Sequence, residues 1–282
     1  KLHLGKGQRI KIDRIMDLYK KLKTTPDFFL IAGPCVVEND IVMHKVAETL
    51  VQLQEETSIT VIFKASYKKA NRSSVESYMG PGEEEGLRSL EHIKSEFHLP
   101  VLTDVHETIE IAAAAQVCDI LQIPAFLCRQ TELIHATAAT EKIINIKKGQ
   151  FMAPEDMQQT AQKAGDNQQI LLTERGTCFG YHNLVVDFRS FSIMHSFGYP
   201  VVYDVTHSLQ LPSSGKISGG NPEFAPMMAK AAIATGKVQG LFIETHPEPE
   251  KALSDAASML RLNLLAPLIK ECLQISHLRN KQ

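Results

Sequence analysis

The sequence has no uninterrupted apolar run long enough to cross a membrane. Its most apolar long stretch, residues 109–128, is broken by Glu110, Gln116, Asp119 and Gln122, whereas a spanning helix needs about 20 consecutive, predominantly apolar residues. No charged segment followed by an apolar one opens the chain. We therefore expect a cytoplasmic protein with no membrane partner.

Cysteine is also scarce, and its spacing offers no disulfide framework. The five cysteines form no Cys-x-x-Cys pair, and an odd number fits a set of disulfides poorly. We expect reduced, mostly buried thiols, as in cytosolic proteins. The cysteines are Cys35, Cys118, Cys128, Cys178 and Cys272.

Neither overall charge nor a familiar short motif assigns a ligand. The formal net charge is −2 over 282 residues, so no global field favours nucleic acid or an anionic surface, and we expect no nucleic-acid partner. The sequence contains no GxGxxG fingerprint, no P-loop and no HExxH motif. Any affinity for anions must therefore come from local clustering of basic residues.

What the sequence does have is eight short apolar or β-branched runs, separated by longer helix-like stretches. Continuous apolar strands suit a parallel sheet that is buried on both faces, and strict alternation with helices implies βαβ units. Eight units favour an α/β fold closed as a (β/α)8 TIM barrel; an open, doubly wound sheet is the alternative. The predicted strands are 28–33, 60–64, 100–103, 120–123, 143–146, 170–174, 201–204 and 240–244, and the predicted helices are 41–56, 85–97, 107–117, 130–140, 155–165, 188–197, 223–236 and 250–275.

No linker rich in proline, glycine and serine divides the chain, so we expect one domain over residues 1–282. The barrel is predicted to occupy residues 28–275, with residues 1–27 as an N-terminal extension. Loose alternation over residues 2–12 predicts a hairpin that caps the bottom of the barrel, followed by a short helix at 13–23.

The residues just after each barrel strand converge on one mouth, where barrel active sites are built. Seven of them are basic, and a nearly neutral protein tolerates such a cluster when anions such as phosphate and carboxylate compensate it. Asp104 follows the third strand and is expected in the same mouth. For any single basic residue, pairing with a surface carboxylate is the better interpretation; for all seven it is the weaker one. The seven are Lys64, Lys69, Arg72, Arg129, Lys147, Lys148 and Arg175.

Cys35, His207 and Glu244 follow the first, seventh and eighth predicted strands, which are neighbours in a closed barrel. Thiolate, imidazole and carboxylate are suitable ligands for Zn2+ or a similar first-row divalent ion. Asp255, predicted to lie early in the last helix, offers a fourth oxygen. We therefore predict a divalent metal ion, with Zn2+, Fe2+ and Mn2+ all left open. The prediction depends on the barrel, since a lone buried cysteine usually acts as a small apolar residue.

Several long motifs at these strand ends resemble the 3-deoxy-D-manno-octulosonate 8-phosphate synthases. The likeness runs from about residue 28 to residue 275, and the Lys-Ala-Asn-Arg-Ser-Ser segment is similar to that family's sugar-phosphate loop. The related DAHP synthases share the Gly-Pro-Cys turn and the barrel. The motifs are IAGPC at 31–35, KASYKKANRSS at 64–74, QIPAFLCRQT at 122–131, KKGQF at 147–151, TERG at 173–176, DVTHSLQ at 204–210 and ETHPEP at 244–249.

The resemblance implies an enzyme that condenses phosphoenolpyruvate with D-arabinose 5-phosphate and releases inorganic phosphate, on the route to the Kdo of lipopolysaccharide. The family is typically a homotetramer, which would let Arg129 reach the sugar phosphate bound by a neighbouring subunit. The sugar and its phosphate would otherwise be held by Asn71, Arg72 and Ser73. The residues assigned to phosphoenolpyruvate are Lys64, Ser66, Lys69, Gln122, Lys147, Arg175 and Gln210.

The family divides into metal-dependent enzymes and enzymes in which Asn replaces the first-strand Cys. Cys35, together with His207, Glu244 and Asp255, matches the metal-dependent class. Our candidate catalytic residues are His207, as ligand and neighbour of the reacting atoms, and Asp104, to position water or a hydroxyl. Cys35 and Lys64 complete the catalytic set.

One segment departs from the family pattern. Members often carry Gly-Gly-x-Arg-Glu after the loop of the seventh strand, whereas residues 219–223 read GGNPE. Pro222 therefore puts any loop-closing ion pair there in doubt, although proline suits the first turn of a helix. Two other functions stay open: a DAHP synthase that uses erythrose 4-phosphate, and a non-catalytic barrel that binds sugar phosphates as a sensor or scaffold.

Overall fold

A computed structural model describes residues 6–70, 78–180, 183–211 and 219–281 of the chain. Its apolar, β-branched runs form eight parallel strands, each hydrogen-bonded to the next along the chain. The eighth strand pairs with the first, from Phe29 beside Gly240 to Gly33 beside Glu244. The sheet is therefore a closed (β/α)8 barrel, and the predicted fold class is confirmed. The strands are Phe29–Gly33, Val61–Lys64, Val101–Asp104, Ile120–Ile123, Ile143–Lys147, Ile170–Glu174, Val201–Asp204 and Gly240–His246.

Helices cover the outside of the barrel and follow local signals. The second helix begins after Asn39, whose side-chain oxygen accepts a hydrogen bond from the backbone of Val42 at 3.1 Å. Pro222 starts a short 3-10 turn that leads into the helix at 225–234, as its fixed φ allows. None of the described helices is long and apolar enough to cross a membrane. The helices are Lys6–Lys23, Asp40–Thr57, Glu83–Phe97, Ile111–Val117, Thr131–Ala138, Met157–Gln162, Arg189–His195, the four-residue Val205–Ser208, Ala225–Ala234 and Leu262–Arg279.

Alternate residues of a strand serve two different cores. On the first strand, Phe29 and Ile31 belong to the core inside the barrel, whereas Leu30 and Ala32 belong to the layer between strands and helices. Because successive side chains of a strand point to opposite faces, a run that is apolar throughout fills both layers. This double burial is why the strands were recognisable as continuous apolar runs.

The N-terminal extension corrects one prediction. Lys6–Lys23 is a single helix, so the hairpin predicted over 2–12 is wrong from residue 6 onward, and residues 1–5 lie outside the described chain. Ile15 and Leu22 are buried in the core inside the barrel, with Leu18 and Tyr19 packed against it. This spacing of three to four residues is the helical period, and it outweighs the loose alternation that precedes it.

The end of the chain corrects a second prediction. The last helix begins at Leu262 rather than at 250, and residues 252–259 form a loop that follows the short turn Pro249–Lys251. Asp255 lies in this loop with a φ of 48°. Asp is among the few residues that adopt the left-handed region readily. A helix cannot continue through a residue in this conformation, and the chain instead turns so that Asp255 contacts Cys35 at the barrel mouth.

Candidate active site

The polar side chains of the site lie at the carboxyl ends of the barrel strands. Lys64, Asp104, Lys147, Glu174 and Asp204 are the last residues of strands two, three, five, six and seven, and all five are buried. Because the strands are parallel, these ends open on one mouth. The sequence-based expectation that charged side chains gather there is met by these five residues.

Glu244, on the eighth strand, anchors one side of the mouth. Its Oε1 lies 2.6 Å from Nζ of Lys64, which also donates to the backbone oxygen of Cys35 at 2.8 Å. Gly33 makes this close strand packing possible, because a Cβ there would overlap the backbone oxygen of Lys64. Burial by itself raises the pKa of Glu244, but the charges of Lys64 and His207 outweigh it and lower that pKa.

Asp204 joins a lysine to a histidine on another side of the mouth. Its Oδ2 lies 2.6 Å from Nζ of Lys147 and 2.8 Å from Nδ1 of His207, and its Oδ1 accepts from the backbone N–H of His207 at 2.9 Å. Burial by itself raises the pKa of Asp204, but His207 and Lys147 reverse the effect and hold it below the usual range. A carboxylate at Nδ1 favours the tautomer with the proton on that nitrogen, which leaves the lone pair on Nε2.

The predicted metal ligands converge. The ligand atoms of Cys35, Glu244 and Asp255 lie within 4.8 Å of one another, and Nε2 of His207 is 3.6 Å from Glu244 Oε2 and 3.8 Å from Asp255 Oδ2. Oε2 of Glu244 is buried and lacks a hydrogen-bond partner among the described residues. One sulfur, one nitrogen and two carboxylates suit a first-row divalent ion. These four residues, here called the ligand cluster, therefore fit a metal.

Cys35 is held as a thiol in this arrangement. Its sulfur lies 3.0 Å from Oγ of Ser254 and 3.1 Å from Oδ2 of Asp255. Burial, followed by the negative charges of Asp255 and Glu244, raises the pKa of the Cys35 thiol. A metal binds the thiolate, so metal binding at the ligand cluster requires this proton to leave.

A chain of hydrogen bonds crosses the inside of the barrel and fixes Asp104. Thr173 donates to Oδ1 of Asn145 at 2.6 Å, and Asn145 donates to Oε1 of Gln122 at 2.9 Å. Gln122 donates to Oδ1 of Asp104 at 3.0 Å, and Ser66 donates to Oδ2 at 2.8 Å. All five side chains are buried. Both oxygens of Asp104 are thus held by donors from neighbouring strands, so its orientation is set before any ligand enters.

Lys69 and Arg175 are buried cations with no ion-pair partner among the described residues. Burial alone lowers the pKa of Lys69, but nearby carboxylates, among them Asp104 and Glu244, outweigh it and raise that pKa. Nη2 of Arg175 donates to Oε1 of Gln210 at 3.1 Å, whereas its Nη1 is buried with no partner in the described part of the chain. A buried, unsatisfied guanidinium nitrogen suits a carboxylate or phosphate oxygen.

The prediction that external anions compensate all seven basic residues needs correction. Three of the seven predicted cations already have a buried carboxylate within ion-pair distance, so they do not need an external anion for neutralisation. Arg129 is exposed, and nothing in the described chain brings it to the ligand cluster. The three pairs are Lys64–Glu244 at 2.6 Å, Lys147–Asp204 at 2.6 Å and Lys148–Glu174 at 3.4 Å. The predicted sugar-phosphate ligands outside the described residues are Asn71, Arg72 and Ser73.

Sequence reasoning missed the residues that hold the loop of Asp255 in place. Oε2 of Glu38 lies 3.3 Å from Nε2 of His246, and its Oε1 accepts from the backbone N–H of Leu253 at 3.2 Å. Both side chains of the Glu38–His246 pair are almost fully buried. The loop is thereby tied to the segments that follow strands one and eight. The signal was weak, since a glutamate three residues after Cys35 looks like an ordinary loop residue.

Glu110 was also missed, and it joins the segments after the second and third strands. It accepts hydrogen bonds from Nζ of Lys68 at 2.7 Å, from the hydroxyl of Tyr67 at 3.0 Å and from the backbone N–H of His106 at 2.9 Å. Burial by itself raises the pKa of Glu110, but these donors lower it to about 2. The carboxylate thus holds in place the start of the segment that carries Lys69.

The closed barrel, the buried cations of its mouth and the ligand cluster together define a (β/α)8-barrel protein with a site suited to anions and to a divalent ion. The model of the DAHP synthetase I family matches residues 23–278. The chain belongs to this family.

Curated relatives carry a more specific name. The chain is similar to the 2-dehydro-3-deoxyphosphooctonate aldolase of Koribacter versatilis, with 52% identity over 256 residues, covering 89% of this chain and 91% of the relative. It is 53% identical over 243 residues to the protein of that name from Pelobacter propionicus, covering 85% and 89%. With that of Protochlamydia amoebophila it shares 51% identity over 256 residues, covering 90% and 93%.

Proposed function

We propose that this chain condenses phosphoenolpyruvate with D-arabinose 5-phosphate to give 3-deoxy-D-manno-octulosonate 8-phosphate and inorganic phosphate. The observation that carries the proposal is that Lys69 and Arg175 are buried in the same barrel mouth as the ligand cluster and have no ion-pair partner among the described residues. The relatives' name supports it, since it specifies a phosphorylated octonate. The enzyme would be a transferase.

The reaction joins C3 of phosphoenolpyruvate to the aldehyde carbon, while water adds its oxygen to C2 and phosphate leaves. The aldehyde oxygen takes up a proton, and C2 ends as a ketone. Both substrates are anions that repel each other in solution. Lys69, Lys147 and Arg175 would hold the carboxylate and phosphate of phosphoenolpyruvate, with Gln210 orienting Arg175. Positioning two reactants in this way removes much of the entropic cost of their encounter.

Asp104 would position the attacking water or a sugar hydroxyl. Burial by itself raises the pKa of Asp104, but Lys64 and Lys69 outweigh it and lower that pKa, so the residue stays an anion. An anionic carboxylate accepts hydrogen bonds and does not donate them. Its two partners, Ser66 and Gln122, would act on the substrate mainly by fixing this carboxylate.

The ligand cluster would hold the divalent ion, for which Zn2+, Fe2+ and Mn2+ remain the candidates. Such an ion, when bound, polarises a carbonyl oxygen or lowers the pKa of a coordinated water. Asp204 contributes by holding Nδ1 of His207, which turns Nε2 toward Glu244 and Asp255. Lys64 contributes by neutralising Glu244 and holding the turn that carries Cys35.

Synthesis of DAHP from erythrose 4-phosphate is the second candidate, because the matching family carries that name. A phosphate-release assay with phosphoenolpyruvate and each aldehyde, with and without EDTA, separates the two. We expect turnover with arabinose 5-phosphate and at most trace turnover with erythrose 4-phosphate. The opposite preference would establish the alternative, and no turnover with either sugar, after addition of Zn2+, Fe2+ or Mn2+, would favour a sugar-phosphate-binding protein without catalysis.

Cys35→Asn tests the role of the metal. We expect the wild type to lose activity on exhaustive chelation and to regain it with a divalent ion. The variant should respond differently, since it lacks the thiolate ligand. Cys272→Ala, which alters a buried cysteine in the last helix, is the matched control and should behave as wild type. Equal activity of the variant and the wild type after chelation would refute the metal role.

We further propose that the enzyme works in the cytoplasm as a homotetramer in which Arg129 serves the sugar-phosphate site of a neighbouring subunit. Arg129 is exposed, and the nearby Phe126 and Phe151 are 58% and 57% exposed, which is typical of a surface that another chain covers. Light scattering should give the mass of four chains. Arg129→Ala should raise KM for the sugar phosphate and leave that for phosphoenolpyruvate nearly unchanged; a monomer would contradict the proposal.

A further inference from the structure

Two histidines and a glutamate meet on the outer helical layer, outside the barrel mouth. His44 belongs to the helix Asp40–Thr57, whereas His92 and Glu96 lie one turn apart on the helix Glu83–Phe97. Nε2 of His44 and Nε2 of His92 lie 3.3 Å and 3.1 Å from the same oxygen, Oε2 of Glu96. All three ligand atoms lie within 4.8 Å of one another.

Two of the three separations match the edge of a tetrahedral metal site. Bonds of about 2.0–2.1 Å to imidazole nitrogen and carboxylate oxygen place neighbouring ligand atoms about 3.3–3.4 Å apart on the edge of a tetrahedron. The two nitrogen–oxygen distances at Glu96, 3.3 Å and 3.1 Å, are close to this edge. Glu96 is therefore already at about the ligand-to-ligand distance of such a site from both histidines.

The geometry is held by packing. The rings of His44 and His92 stack with centroids 5.3 Å apart and planes inclined at 29°, and the ring of Phe97 meets His44 edge-on at 5.5 Å. Nε2 of His44 is itself buried, yet it makes no well-aligned hydrogen bond within the described chain. His92 is 58% exposed, which leaves an open side for a water ligand and for entry of the ion.

We propose that His44, His92 and Glu96 form a second divalent-cation site, with three protein ligands and one position for water. Two imidazoles and one carboxylate favour borderline first-row ions such as Zn2+ over Mg2+. A bound ion would link the second and third helices to each other and would not contact the residues of the barrel mouth. The site is independent of the proposed reaction, and it would add one equivalent of zinc that has no part in catalysis.

The zinc stoichiometry of the 282-residue chain tests the proposal. Chelator-treated protein is dialysed against buffered free Zn2+, and bound zinc is measured by atomic absorption. The double variant His44→Gln/His92→Gln should bind one equivalent less than the wild type while its turnover is unchanged. Cys35→Ala should keep the outer equivalent, and Zn2+ should still raise its melting temperature; that shift should vanish when the two histidine substitutions are added.

His277→Gln is the matched control, because His277 is a 60% exposed helical histidine beside one carboxylate, Asp27 at 3.4 Å. It should bind as much zinc as the wild type. If the double variant does not fold, His92→Gln alone should weaken zinc binding at the outer site by about tenfold or more. Unchanged stoichiometry and affinity in these variants would overturn the outer site, whatever the ligand cluster of the mouth binds.

Discussion

Replacing Asp204 by asparagine should weaken metal binding without removing any ligand. The carboxylate lies 2.8 Å from Nδ1 of His207, and an asparagine amide that donates to Nδ1 would leave the ring proton on Nε2. Nε2 is the atom that faces Glu244 and Asp255. Partners of this kind contribute 10–100-fold to metal affinity, so we expect a loss of about 1.4–2.7 kcal/mol of zinc binding free energy.

The same substitution should also destabilise the metal-free protein. The side chain of Lys147 is 6% exposed, and its ammonium group lies 2.6 Å from Asp204. Asp204→Asn leaves that cation buried without its carboxylate, and breaking one partner of a buried pair costs about 3–5 kcal/mol. Urea unfolding of the chelated variant measures this loss, and chelator competition for zinc measures the affinity in a background that lacks the outer histidines.

Asp119→Asn is the control that separates the loss of zinc affinity from the loss of stability. Asp119 is also a buried aspartate that pairs with a lysine, Lys94 at 2.8 Å, and it accepts from the backbone N–H of Val101 at 3.0 Å. It precedes a barrel strand and lies far from the strand ends that form the mouth. The control should lose stability but keep its zinc affinity. If Asp204→Asn binds zinc as tightly as the wild type, the tautomer argument is wrong.

Two further predictions concern stability. Gly33→Ala should lower the free energy of unfolding in urea by about 3 kcal/mol, because its Cβ would overlap the backbone oxygen of Lys64 in the neighbouring strand. Gly165→Ala, with open space around its Cβ and a φ of +62°, should cost only about 1 kcal/mol; equal losses would contradict the packing argument. Glu110→Gln should destabilise most near neutral pH, because the lowered pKa of Glu110 means that its carboxylate stabilises the fold above the unfolded value of 4.5 and loses this effect as pH falls toward about 2. Unfolding curves between about pH 7 and pH 3 should show the difference shrinking, and a constant difference would refute the assignment.

The barrel could be predicted because each strand is visible in the sequence as a short apolar run. The strand Ile170–Glu174 is buried on both faces, so it appears as an apolar run that ends in a polar and a charged residue. The residues of the mouth were predictable for the same reason, since strand ends of a closed barrel converge. Of the N-terminal helix, residues 13–23 were predicted, whereas its start at residue 6 was not, because the loose alternation over residues 2–12 favoured a hairpin.

Partners of the mouth residues were less accessible to sequence reasoning than the residues themselves. Lys64 and Glu244 are 180 positions apart and meet through barrel closure, and the loop of Asp255 depends on a hydrogen bond from Leu253 to Glu38. Asn145 did offer a signal, since a polar residue inside an apolar strand must find a buried partner. Its partners, Gln122 and Thr173, lie on the two neighbouring strands and are determined by how those strands align with its own.

These pairings change how the mouth must bind anions. With Lys64, Lys147 and Lys148 each beside a buried carboxylate, simple attraction of seven cations for phosphate no longer explains recognition. Within the described ranges, the groups left to bind an anion are the buried ammonium of Lys69, which has no ion-pair partner there, and Nη1 of Arg175, which has no hydrogen-bond partner there. Two such groups match one small molecule that carries both a carboxylate and a phosphate. We therefore expect these two cations to bind the proposed phosphoenolpyruvate, whereas the phosphate group of the sugar would need other cations than these two.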